Sequence, residues 1–180
     1  MSKLTRLFML SALSAISISS MVAQADNKIT FTGTVIDTAC TVVVNDGTAT
    51  LDLGSTVVGD LSDAGKTGAP KIFTVSLNAC PAAATGVPTK AYIKFSGTTD
   101  GDETYFKNDL SDTDAAKHVG IIIKDKNGTA IVNNDSNTAV AINAAGGNQN
   151  EQYTASLVAT ATGASKGKVS SAVTYNVSYE

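Results

Sequence analysis

Few side chains in this sequence are equipped for chemistry, and their spacing removes most of what they could do. His118 is the sole histidine, and Cys40 and Cys80 are the only cysteines. Nucleophilic catalysis needs a base held against an activated nucleophile. His118 stands in Lys117-His118-Val119 at the head of an apolar run, the setting of a strand-edge surface residue, and no nucleophile elbow accompanies it. A metal centre would need more soft ligands than two cysteines and one histidine provide. The acidic stretch Asp100-Gly-Asp-Glu103, with Asp109, Asp112 and Asp114, offers the oxygens calcium prefers. Its spacing fails the calcium-loop pattern, because Tyr105 falls where glycine is required, and it reads as a solvated loop. Asn127-Gly128-Thr129 matches a glycosylation sequon, but the glycine is better explained by a turn. The expectation is a protein that is not an enzyme and takes no cofactor.

The remaining chemistry is covalent. Residues 1–25 read as an export signal: Lys3 and Arg6 precede the short apolar run from Leu7 to Ile18, and Ala23-Gln24-Ala25 fits a cleavage site. No later segment reaches transmembrane length. Export places both cysteines in an oxidising compartment, where an even pair forms a disulfide. A loop of about 40 residues closed this way gains roughly 4 kcal/mol in the chain-entropy account. Roughly 155 residues would remain after cleavage, which suits one domain with a real core.

The elements that must carry this chemistry are strands. Charged residues make up 16% of the sequence, below the ~25% of an average domain, and the net charge is −3. No basic cluster could follow a phosphate backbone, so nucleic acid is not a partner. Apolar–polar alternation marks strands at 41–44, 48–53, 71–77, 91–95, 138–142 and 153–160, with a compact apolar run over 119–124. A short strand is also expected over 56–58, another over 129–132, and a last one from Val169 onward. Turns fall at Asn45-Asp46-Gly47, at 125–128 and at 163–167, loops at 81–88 and 144–150, and residues 96–117 show no period. No mature segment keeps helical spacing over three turns. The fold class is all-β, a sandwich or barrel.

The two ends stand out. Residues 28–37 and 173–180 both alternate strictly, and their alternating cores lack the charge, proline or cover with which soluble proteins blunt sheet edges. Such strands are suited to pairing with another chain. Ile29, Phe31, Gly33 and Val35 share one face of the first. A glycine among large apolar residues serves either a bulge or a constriction where a methyl would clash, and spacing leaves both open.

The segment Ile29-Thr-Phe-Thr-Gly-Thr-Val-Ile-Asp-Thr-Ala-Cys40 resembles the start of chaperone–usher fimbrial pilins of the type 1 and F17-like group. Leu51-Asp-Leu-Gly54, Phe73-Thr-Val-Ser-Leu-Asn-Ala-Cys80, the run 119–128, the run 153–161 and the ending Val173-Thr-Tyr-Asn-Val-Ser-Tyr-Glu180 are similar in order and spacing. The resemblance implies an immunoglobulin-like sandwich lacking its seventh strand. A periplasmic chaperone lends a strand to the gap. At the outer-membrane usher, the extension of the next subunit replaces it, giving a head-to-tail fimbrium on the cell surface. It further implies a signal peptide over 1–25, a donor-strand extension over 26–36 and a pilin domain over 37–180.

Ile29, Phe31, Gly33 and Val35 would then be donor residues, with Gly33 at the constriction. Val173, Tyr175, Val177 and Tyr179 would lie along the acceptor groove, with the Glu180 carboxylate held by basic residues of the chaperone. Cys40 and Cys80 would tie the first strand to the second. The extension ahead of Ile29 is brief, Asp26-Asn27-Lys28, which resembles the F17-like subgroup. A minor adaptor or tip-associated adhesive pilin of the same pathway is the alternative. A free-standing binding module or hydrolase would instead need a pocket with convergent polar groups, and the sequence offers none.

Overall fold

The computed structural model describes residues 39–180 apart from 49, 137 and 138. The leader and the alternating segment with Ile29, Phe31, Gly33 and Val35 lie outside the described residues. Among the described residues, nine strands form two antiparallel sheets. They are β1 (Thr41–Val44), β2 (Lys71–Cys80), β3 (Lys90–Ser96), β4 (Thr99–Asp100), β5 (Asp102–Phe106), β6 (Val119–Asp125), β7 (Ala139–Ala141), β8 (Gly147–Ala159) and β9 (Thr174–Tyr179). One sheet runs β1-β2-β8-β6-β5-β4 and the other β7-β3-β9. This is the incomplete immunoglobulin-like sandwich, with β9 on an open edge.

Alternation sets the core. Phe73, Val75 and Leu77 of β2 point inward and meet Ala91, Ile93 and Phe95 of β3 from the facing sheet. Tyr153 of β8 stacks on Phe73 at 5.6 Å between ring centroids and presents its edge to Phe95 at 5.1 Å. The compact apolar run forms β6, an interior strand flanked by β8 and β5. The disulfide joins Cys40 to Cys80, and both are buried in the same cluster.

Asn45, Asp46 and Gly47 all take positive φ, which these residue types tolerate, so the chain reverses sharply after β1. After β6, Asp125 Oδ1 accepts the N–H groups of Asn127 (2.9 Å) and Thr129 (2.8 Å), the turn expected there.

Several expectations change. Residues 50–57 take no regular structure, with Gly54 at φ 72°; Leu51 and Leu53 alternate with exposed neighbours, yet they join no ladder among the described residues. Residues 58–61 form a 3-10 turn that buries Leu61, where a strand over 56–58 was expected. Residues 129–132 make a single bridge, Lys124 to Ala130, because the preceding turn leaves too little chain to run a full ladder. The glycine-rich loop over 144–150 is shorter than expected, since β8 begins at Gly147 and pairs with Cys80. Residues 99–106 form a hairpin whose Phe106 is fully buried. Its short strands carry too few alternations to show a period.

Candidate functional site: an open strand-acceptor groove

The site begins with β9. Lys90 and Glu180 exchange both backbone hydrogen bonds, at 2.8 and 2.9 Å. In an antiparallel pair, bonded and non-bonded positions alternate. From the register Tyr92↔Ser178, Ile93↔Val177 and Phe95↔Tyr175, the even-numbered residues of β9 direct their N–H and C=O groups to β3. Tyr175, Val177 and Tyr179 direct theirs to the opposite side, where no strand pairs among the described residues. Their side chains also face the sandwich, yet Val177 and Tyr179 are only half-buried and Tyr175 is 46% exposed. A strand that points tyrosine and valine inward without covering them lacks a neighbour.

A trough opens beside the start of β9, at Tyr175, and is lined by neither Val177 nor Tyr179. One end is a cavity of about 840 Å³ between residues 50–58 and 165–172, floored by Leu61, Val119, Ile121 and Leu157. The other is a cavity of about 340 Å³ floored by Phe73, Phe95, Ile123 and Ala155, with Val173 and Tyr175 at its side. Leu51, Leu53, Ile121, Ser171 and Ala172 line both, so the two are one continuous groove. Its walls are irregular chain on both sides and its floor is core. That combination accepts a β-strand: ladder bonds along the wall and alternate side chains in the floor.

β9 is fixed at its far end. The Tyr179 hydroxyl donates to the Cys40 carbonyl at 3.2 Å, linking β9 to the disulfide region, and burial pushes its pKa up. A main-chain oxygen of Glu180 accepts the N–H groups of Thr89 (2.7 Å) and Lys90 (2.8 Å). The Glu180 side chain takes a hydrogen bond from Tyr92, which raises the Tyr92 pKa.

Other chemically equipped residues serve structure. His118 is exposed with left-handed backbone at φ 55°. Asp100 accepts the Thr160 hydroxyl at 2.8 Å, and Asp112 accepts the Asp114 N–H at 3.0 Å. Asp102 takes the Thr104 hydroxyl and N–H, which hold its pKa below the usual carboxylate range. No three of these side chains gather into a metal-holding group among the described residues.

Sequence reasoning missed Asn108 and Asp109. Asn108 is buried, and its amide donates to Ala116 O (3.2 Å) and Lys168 O (3.0 Å) while its oxygen accepts Leu110 N–H and Ser170 N–H. Asp109 Oδ2 accepts Ala172 N–H at 2.7 Å. Gly167 lies so close to the backbone of residues 114–116 that any Cβ would clash, and its φ of 154° already favours glycine. These contacts brace the wall before β9. The only sequence signal was an asparagine beside a buried aromatic.

Known proteins share this fold. The profile of the fimbrial protein family matches residues 29–180. The chain belongs to that family. Long polar fimbria protein A of Salmonella typhimurium is 29% identical over 174 residues, covering 96% of this chain and 95% of that one. The F17 fimbrial protein of Escherichia coli is 32% identical over 192 residues, covering 96% and 97%. Among solved structures, a chain of a chaperone–usher pilus superposes with a TM-score of 0.65 at 21% identity, covering 90% of this chain and all of that one. The P pilus rod subunit PapA superposes with a TM-score of 0.64 at 18% identity, covering 79% of this chain. This chain is therefore a structural fimbrial protein of the cell surface, built on the pilin fold.

Proposed function

We propose that this fimbrial subunit polymerises by donating residues 26–36 to the groove of its neighbour, after residues 1–25 are removed as a signal peptide. The open groove beside β9, apolar in its floor and unpaired along its edge, is the observation that carries the reading. Ile29, Phe31 and Val35 fill the floor, and Gly33 passes its narrowest point. Burying three such side chains contributes roughly 5–8 kcal/mol, with each ladder bond adding about 1 kcal/mol net. A contact of that size, repeated head to tail in an open polymer, dissociates slowly, as a fibre under load requires. Residues 37–180 form the pilin body, with the Glu180 end presented to basic residues of the chaperone. Relatives of matching length are named as fimbrial subunits, which favours a structural subunit over a tip-associated adhesive pilin.

The test is Gly33→Val, expected to abolish filaments seen by electron microscopy while the subunit still co-purifies with its chaperone. Normal filament yield would remove the constriction, and with it the proposed seat of the donor strand.

A further inference from the structure

The groove wall that precedes β9 is held partly by loop backbone around residues 109–116 and partly by the side chains of Asn108 and Asp109, where a strand ladder would ordinarily hold it. Lys168 O accepts from Ala116 N–H and from Asn108, and Lys168 N–H donates to Asp114 O. Ser170 N–H goes to Asn108 Oδ1 and Ser170 O to Asp109 N–H, while Ala172 N–H goes to Asp109 Oδ2. Every one of these is an even-numbered residue, the same parity that β9 spends on β3 from Thr174 to Glu180. Among the described residues Val169, Ser171 and Val173 make no backbone hydrogen bond of their own, and all three line the trough. Their parity is that of Tyr175, Val177 and Tyr179.

We propose that Asn108 and Asp109 are positioning residues for strand uptake: by taking the place of β3, they extend the vacant edge from 175–179 back to 169. The acceptor is thereby preformed along both cavities, and the incoming strand does not have to order that wall as it docks. A binding-competent conformation already populated raises apparent affinity in proportion. The inference rests on the donor-strand reading and predicts something that reading leaves open, the length of the paired edge.

The experiment is hydrogen exchange on the mature chain, released from its chaperone in excess synthetic peptide of residues 26–37. In the wild type the peptide should protect the amides of Val169, Ser171 and Val173 together with those of Tyr175, Val177 and Tyr179. Asp109→Ala should restrict protection to the latter three and release the peptide about tenfold faster, the effect of one or two lost hydrogen bonds. Asp109→Asn keeps an oxygen for Ala172 N–H and should behave as wild type. Asn108→Ala should act in the same direction, but Asn108 is buried, so the exposed Asp109 carries the test. Protection confined to 175–179 in the wild type, or all six amides protected in Asp109→Ala, would overturn the inference and leave the donor-strand reading standing. No protection at 175–179 in the wild type would overturn that reading itself.

Discussion

β8 and β9 are written in the same style and treated in opposite ways. Both alternate, and both point tyrosines into the sandwich. β8 is flanked by β2 on one edge and β6 on the other, and its Tyr153 is 1% exposed. Among the described residues β9 has β3 alone, and its Tyr175 is 46% exposed. The amphipathic pattern fixes which face of a strand turns inward, but the number of neighbours decides whether that face is covered. A subunit that assembles by strand addition, as proposed above, has to keep one strand in the second condition. Uncovered apolar surface on an isolated subunit is a hazard, and it is also the free energy that later holds the fibre together.

Removing the uncovered strand should break the comparison outright. Deletion of residues 173–180 takes away the edge, half of the small three-stranded pairing, and the Tyr179 bond to Cys40. No stable chaperone complex should then be recovered by affinity co-purification. Full recovery would mean that the chaperone grips another surface and that β9 is not the acceptor.

Much of this was legible beforehand. β2, β3, β6 and the later part of β8 follow from alternation or apolar density, because each carries enough residues for the period to show. The ending 173–180 declared itself through a pattern without protection, although the ladder occupies only Thr174–Tyr179. Residues 48–53 alternate as a strand would, yet 50–57 join no ladder; a sequence gives the face of a segment, and its partner comes from tertiary context. The brace at Asn108 and Asp109 was invisible for another reason. Side-chain-to-backbone bonds have no period, so a polar stretch that organises half the groove reads the same as a solvated loop.

A paired substitution sharpens the contrast at lower amplitude. Tyr153→Ala should destabilise the subunit by about 3–5 kcal/mol, since it empties the centre of an aromatic cluster that cannot collapse. Tyr175→Ala should cost less than about 1 kcal/mol in the unfilled subunit, as for most exposed positions. The order should reverse for assembly: Tyr175→Ala shortens the lifetime of the bound donor strand even though the fold barely notices. Urea midpoints of chaperone-released subunits give the first comparison, and dissociation of the 26–37 peptide gives the second. Equal stability losses at both sites would show that β9 is as well covered as β8.

The smallest effect is electrostatic and distinguishes the two strands by pH. Burial pushes the Tyr153 phenol well above its ordinary value, with the nearby carboxylates of Glu151 and Asp125 acting in the same direction. Burial also raises Tyr179, which is only half-buried and donates to the Cys40 carbonyl. A phenol whose folded pKa lies above its unfolded value favours folding in its neutral form. That contribution is complete below about pH 10, the unfolded value, and is lost as pH climbs toward the folded one. Stability should therefore fall between about pH 10 and 11, with Tyr153 responsible for the steeper part. Tyr153→Phe should flatten this decline more than Tyr179→Phe does, whereas Tyr179→Phe should cost about 1 kcal/mol at every pH through its lost bond to Cys40. Urea midpoints at pH 8 and pH 11 would separate the two. A Tyr153→Phe subunit that loses stability as steeply as wild type would show that the covered strand does not set the alkaline limit. The difference between a finished and an unfinished edge would then have to be sought in packing alone.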